Sequence, residues 1–152
     1  MFASPPRIGA VLSRSLSTEI VTRGEPLPGS STSPVCLIVD DAALIGMALE
    51  HQLEDHGFLC ATVCSSGEAL AWLDAHTPTV AILDYMLADG PCTVLVAALR
   101  GRGVPFLVYS GFPARAAGPE LGDVRWIDKP AERATLLRAV AGLVSGLPAA
   151  RL

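Results

Sequence analysis

Five polar side chains stand where apolar segments of this 152-residue chain end: Asp40, Asp41, Asp84, Ser110 and Lys129. The segment before Asp84, Val80-Ala81-Ile82-Leu83, has no polar residue, which is typical of a strand buried on both faces. Because a carboxylate inside a core would be costly, Asp84 is predicted at the carboxyl end of that strand. In an open parallel sheet, this edge is where ligands bind.

The chemistry of these groups follows from their charges. Carboxylates that share one crevice repel each other and raise each other's pKa unless a cation is present. An all-oxygen set predicts Mg²⁺, which prefers hard octahedral ligands and keeps several waters. A carboxylate at the bottom of such a site can attack phosphorus and form an acyl phosphate. Lys129, the only lysine beside ten arginines, would add positive charge, Ser110 a hydroxyl donor, and Gly111 space and a backbone N–H.

The rest of the pattern predicts the elements that position these groups. Helices alternate with strands at 35–39, 58–63, 80–84, 104–109 and 124–127. The first helix is predicted over 42–56, the second from Ser65 with a capping box to Glu68, the third over 93–100 and the last over 131–144. The Pro- and Gly-rich residues 111–123 leave room for one or two helical turns. This alternation predicts an α/β fold with a doubly wound parallel sheet, flavodoxin-like.

Composition limits the domain organisation. With 51% hydrophobic residues and a net charge of −4, the chain predicts one globular domain over residues 35–146. Residues 1–34, rich in Ser, Thr, Pro, Gly and Arg, are predicted to be a disordered leader, and residues 147–152 a short tail.

Composition also excludes classes of partner. The basic residues form no run, which argues against a nucleic-acid-binding surface. No apolar stretch reaches about 18 residues, so neither a membrane span nor a membrane partner is predicted. The four cysteines (36, 60, 64 and 92) are predicted to be buried free thiols, as expected of a cytoplasmic protein.

Four short motifs follow one another at the predicted strand ends: Asp40-Asp41, Asp84 with Asp89-Gly90, Ser110-Gly111 and Lys129-Pro130. In this order they resemble the receiver domain of two-component response regulators, the CheY-like fold, over roughly residues 35–144. The resemblance implies a five-stranded sheet of order 2-1-3-4-5. It also implies that Asp84 is the phosphoacceptor and that Asp41 is a direct Mg²⁺ ligand. Asp40 would hold metal-bound water, and the backbone carbonyl of Met86 would complete the coordination.

The same resemblance implies roles for the remaining site residues. Ser110 and Lys129 would grip the phosphoryl group, with the backbone of Gly111 in contact with it. Ser110 and Trp126 would form the conformational switch, Trp126 standing where the family often has Tyr or Phe. The loop that follows Asp84 is shorter than the common family loop and lacks its proline.

The leading expectation is therefore a single-domain response regulator in a phosphorelay. It would accept a phosphoryl group from a histidine kinase or phosphotransfer protein and act on an unidentified output protein. It would be no enzyme beyond its own phosphorylation and dephosphorylation.

Two other classes remain open at this point. The first is a pseudo-receiver, a protein-interaction module that works without phosphorylation. The second is a small phosphatase with an aspartyl nucleophile, which Met86 disfavours because it occupies the position of the general acid. As a purely structural alternative, Asp40 and Asp41 could only cap the helix that follows.

Overall fold

The computed structural model of the protein describes residues 33–146. The predicted leader, apart from residues 33 and 34, and the predicted tail lie outside the described residues. The elements are β1 (Val35–Val39), α1 (Ala43–Glu54), β2 (Leu59–Val63), α2 (Ser66–Leu73), β3 (Val80–Leu83), α3 (Thr93–Gly101), β4 (Phe106–Ser110), β5 (Trp126–Asp128) and α4 (Arg133–Ser145). A short β-hairpin lies between β3 and α3, and its two strands, Met86–Leu87 and Gly90–Pro91, have two residues each.

The five main strands form one parallel sheet of order β2-β1-β3-β4-β5. Its register places Val39, the last residue of β1, beside both Val63 of β2 and Leu83 of β3. The three strands therefore end at the same level. The α/β class and the strand order 2-1-3-4-5 are confirmed.

The strands are buried on both faces, and alternate side chains fill two separate cores. The α2/α3 core is built around Leu37, Val39, Leu83, Leu73, Leu95 and Leu99. The α1/α4 core is built around Ile38, Ile82, Leu49, Leu53, Leu136 and Val140. Helices cover both sides of the sheet and keep its strands from water, which explains the continuous apolar runs.

The segment between β4 and β5 contains two single-turn 3-10 helices, Ala114–Ala116 and Pro119–Leu121, in agreement with the short turns predicted there. Leu121 is buried in the α2/α3 core. The guanidinium of Arg100 donates hydrogen bonds to the backbone carbonyls of Glu120, at 3.3 Å, and of Leu121. One apolar side chain and one arginine of α3 thus hold this segment against the sheet.

Several predictions differ from the structure in detail. The helices predicted over 42–56 and 131–144 are observed as α1 (Ala43–Glu54) and α4 (Arg133–Ser145). Strands β4 and β5 each begin two residues later than predicted, at Phe106 and Trp126. Of the four cysteines, Cys64 is exposed, because it follows the last residue of β2 and lies beyond the sheet. Among residues 33–146, no helix is long and apolar enough to cross a membrane.

Shortening Leu83 tests the packing of the strand that leads to Asp84. Leu83 is fully buried in the α2/α3 core, so we expect Leu83→Ala to lower the free energy of unfolding by about 2–5 kcal/mol. Leu44→Ala, at a position on α1 that is 79% exposed, should change it by no more than about 0.5 kcal/mol. Urea unfolding followed by circular dichroism measures both values, and equal losses would contradict the assigned core.

Candidate functional site

The sheet ladder extends one residue past its strands and positions three of the charged side chains. Asp40 donates its backbone N–H to the last carbonyl of β2 at 3.1 Å, and Asp84 donates to the last carbonyl of β1 at 2.8 Å. Lys129 donates its backbone N–H to the carbonyl of Ser110 at 2.9 Å. Because the backbones are held in register, the three side chains start from fixed points along one edge of the sheet.

Three carboxylates meet at this edge. Oxygen atoms of Asp40, Asp41 and Asp84 all lie within 4.8 Å of one another. Asp40 is 2% exposed and Asp84 is 9% exposed, whereas Asp41 faces solvent. Oδ1 of Asp40 also accepts the backbone N–H of Ala42 at 2.9 Å. The cluster therefore has a buried floor and one open side.

The ammonium group of Lys129 joins the two buried carboxylates. Its Nζ lies 2.8 Å from Oδ2 of Asp40 and 3.2 Å from Oδ2 of Asp84. Burial alone would lower the pKa of Lys129. The hydrogen bonds and charges of both carboxylates raise it by more than burial lowers it, so the pKa lies above its ordinary value. Burial raises the pKa of Asp40, while the Lys129 hydrogen bond, the Ala42 amide and the Lys129 charge oppose that rise. Lys129 is therefore positively charged in the site.

Ser110 ends β4 beside the cluster and is almost fully buried. Its Oγ accepts the backbone N–H of Phe112 at 3.1 Å, which leaves the hydroxyl proton free to be donated elsewhere. Apart from the chain neighbours Ser110 and Phe112, no heavy atom lies within 4 Å of the position that a Cβ on Gly111 would take, so space lies open beside the turn. The turn therefore combines a hydroxyl donor with room for a small group.

Trp126, at the start of β5, belongs to a cluster of three aromatic rings. Tyr85, which follows Asp84 directly, stacks on Phe112 with ring centroids 4.9 Å apart and lies 5.6 Å from the ring of Trp126. Nε1 of Trp126 is buried and has no hydrogen-bond partner among the described residues. Tyr85 thus contacts both the turn after Ser110 and the first residue of β5.

The contacts of two residues in the loop after Asp84, Tyr85 and Asp89, are not predicted by the sequence. Tyr85 is 6% exposed and joins the aromatic cluster, while the carboxylate of Asp89 contacts the first turn of α2. The Asp89-Gly90 pair marks a turn in the sequence. The local sequence, however, does not indicate that the partners of Asp89 lie more than 20 residues away. Met86, predicted to offer its carbonyl, opens the hairpin with a side chain that is 43% exposed.

The donor set fits a divalent cation of the Mg²⁺ type. Carboxylate oxygens are the hard ligands that Mg²⁺ takes, and the exposed Asp41 leaves the water access that the ion needs to keep part of its hydration shell. The net negative charge of three carboxylates beside one lysine favours a further cation. Asp40, Asp41 and Asp84 could hold it.

Comparison with known proteins agrees with this fold. The family model described as the response regulator receiver domain matches residues 36–141, and the chain belongs to that family. Solved structures similar to it include a CheY-like receiver domain from Methylobacillus flagellatus, with a TM-score of 0.65 and 25% identity. Another is the chemotaxis response regulator CheY4 of Vibrio cholerae, with a TM-score of 0.66 and 26% identity. In both comparisons 74% of this chain covers 99% of the other.

Curated relatives of the chain are regulatory proteins. The transcriptional regulatory protein PrrA of Mycobacterium tuberculosis is 32% identical over 118 residues, which is 74% of this chain and 51% of PrrA. The acid tolerance regulatory protein ActR of Rhizobium meliloti is 29% identical over 109 residues, 68% of this chain and 56% of ActR. The chain spans about half the length of the curated relatives it matches. It is thus a response regulator receiver of two-component signalling.

Proposed function

We propose that this chain is a phosphorylation-dependent switch in a phosphorelay and that Asp84 is its phosphoacceptor. The observation that carries the proposal is the pairing of Lys129 with both buried carboxylates at the sheet edge, next to the exposed Asp41. A structural ion pair would need one carboxylate, whereas Lys129 pairs with two, and a third, Asp41, lies within 4.8 Å of both. The phosphoryl donor would be a histidine kinase or a histidine phosphotransfer protein.

In the proposed reaction, an oxygen of Asp84 forms a bond to phosphorus while the bond from phosphorus to the donor's imidazole nitrogen breaks. When held by Asp41, Asp84 and the backbone carbonyl of Met86, with Asp40 on a metal-bound water, Mg²⁺ would supply positive charge to the phosphoryl oxygens. Lys129 would exchange its contact with Asp84 for one phosphoryl oxygen. The hydroxyl of Ser110 would donate to another, and the backbone of Gly111 borders the space that the group enters.

The proposed switch links Ser110 to Trp126 through the aromatic cluster. If Ser110 turns towards a phosphoryl oxygen, its contact with the amide of Phe112 changes. Phe112 stacks on Tyr85, and Tyr85 contacts Trp126, so a movement of the turn reaches the surface near β5. Phosphorylation would then shift the population of this surface and alter binding to an output protein.

Treatment of the purified chain with acetyl phosphate tests the proposal. With Mg²⁺ present, intact-mass spectrometry should show a gain of one phosphoryl group, and chelation of the metal with EDTA should prevent it. Hydroxylamine should remove the group, because it cleaves acyl phosphates. A folded chain that gains no phosphoryl group at any Mg²⁺ concentration would refute the switch and favour the pseudo-receiver.

A further inference from the structure

The tip of the hairpin after β3 is attached to the start of α2. Oδ1 of Asp89 accepts the backbone N–H of Ser66 at 3.1 Å, and its Oδ2 accepts the backbone N–H of Gly67 at 3.0 Å. Both carboxylate oxygens are therefore engaged by the first two amides of a helix that lies more than 20 residues earlier in the chain. Asp89 stands apart from the acidic cluster of the site, which consists of Asp40, Asp41 and Asp84.

The helix has its own cap and does not depend on Asp89 to satisfy its third amide. Oγ of Ser65 accepts the N–H of Glu68 at 3.1 Å, and Oε1 of Glu68 accepts the N–H of Cys64 at 2.9 Å. Asp89 takes the two amides that this local cap leaves over. A negative charge is favourable there because the amino end of a helix carries partial positive charge. The contact thus ties the hairpin to the helix.

The buried side chain of Leu87 packs the first strand of the hairpin into the α2/α3 core, but the tip at Asp89 and Gly90 lies beyond that contact. The hairpin has no proline between Asp84 and Gly90, and its ladder consists of two residue pairs. Gly90 has a φ of +113°, a conformation that side chains disfavour, which marks the sharp return of the chain. Beyond the ladder, Cys92 donates its N–H to the carbonyl of Tyr85 at 2.8 Å. The Asp89 contact is therefore the anchor at the far end of the hairpin.

We propose that Asp89 is a positioning residue for the metal ligands, and this inference rests on the proposed function. Met86 opens the hairpin two residues after Asp84, and its carbonyl is the proposed backbone ligand. By fixing the hairpin tip to α2, Asp89 holds that carbonyl in place before the ion arrives. Without the anchor, binding of Mg²⁺ has to order the hairpin first, and affinity falls by the cost of that ordering.

Calorimetric titration of the unphosphorylated chain with Mg²⁺ tests the inference. We expect Asp89→Ala to raise the Mg²⁺ dissociation constant about 10-fold or more, the effect of removing a residue that orients a metal ligand. Asp89→Asn keeps one acceptor oxygen and should fall between the wild type and Asp89→Ala. The rate of phosphorylation by acetyl phosphate at saturating Mg²⁺ should stay near the wild-type value, since the carboxylates and Lys129 are untouched.

Ser65→Ala is the matched control, because it weakens the same helix end without touching the hairpin. It should lower the melting temperature while leaving the Mg²⁺ dissociation constant within about two-fold of wild type, as is usual for a change outside a site. The inference is overturned if Asp89→Ala binds Mg²⁺ as the wild type does, or if Ser65→Ala weakens binding equally. A wild-type chain that binds no Mg²⁺ would overturn the proposed metal site and this inference together.

Discussion

Asp84→Asn is expected to abolish phosphorylation by acetyl phosphate. The substitution keeps the size and shape of the side chain but replaces the nucleophilic carboxylate with an amide, which cannot form the acyl phosphate. Since the amide has the size of the carboxylate and the backbone N–H of residue 84 remains bonded to β1, the fold should be retained. Intact mass after incubation with Mg²⁺ and the donor should show the unmodified variant only.

The control for this variant is Asp55→Asn, which changes a carboxylate at the end of α1 that has 53% side-chain exposure and does not belong to the cluster. It should be phosphorylated at the wild-type rate. If Asp84→Asn still gains a stable phosphoryl group, either another residue accepts it or the wild-type label does not reside on Asp84. Circular dichroism of both variants excludes unfolding as the cause of a negative result.

Lys129→Met is expected to affect phosphorylation and metal binding in opposite directions. Loss of the ammonium removes one group that would stabilise the transferred phosphoryl, and the rate should fall about 100-fold or more, as for the loss of a transition-state donor. The same change leaves the charges of Asp40 and Asp84 uncompensated. Mg²⁺ should therefore bind more tightly than to the wild type, because no internal cation competes with it.

Time courses of intact mass measure the rate, and calorimetry measures the affinity for Mg²⁺. Arg133→Met provides the control, since Arg133 lies at the start of α4 and pairs at 3.9 Å with the exposed Asp55. It should leave both quantities unchanged. A Lys129→Met chain that is phosphorylated at the wild-type rate would show that the lysine serves the ion pair alone.

The fold was predictable because its strands are buried on both faces. β1 and β3 are continuous apolar runs, and a polar residue stands at the end of four of the five strands, where the chain leaves the sheet. Parallel strands bring those ends together, so Asp40, Asp84 and Lys129 were predicted as neighbours. Their contacts of 2.8 and 3.2 Å follow from the ladder register.

The contacts made by the loops were not predictable from local patterns. The hairpin strands have two residues each, too few to show the alternation that identifies a strand. The partners of Asp89 and Tyr85 lie more than 20 residues away, and a single sequence does not indicate which distant backbone or ring will meet them. Both residues belong to the loop that follows Asp84, so the charged groups of the site are easier to predict from the sequence than the contacts of that loop.

Locating the modification shows directly whether Asp84 carries the phosphoryl group. Borohydride reduces an acyl phosphate of aspartate to homoserine, which survives proteolysis and can be placed by peptide mass spectrometry. After treatment of the wild-type chain with Mg²⁺ and acetyl phosphate, homoserine should be found at position 84 and at no other aspartate. Homoserine at Asp40 or Asp41 instead, or its absence from a chain that has gained a phosphoryl group, would contradict the assignment of the phosphoryl group to Asp84.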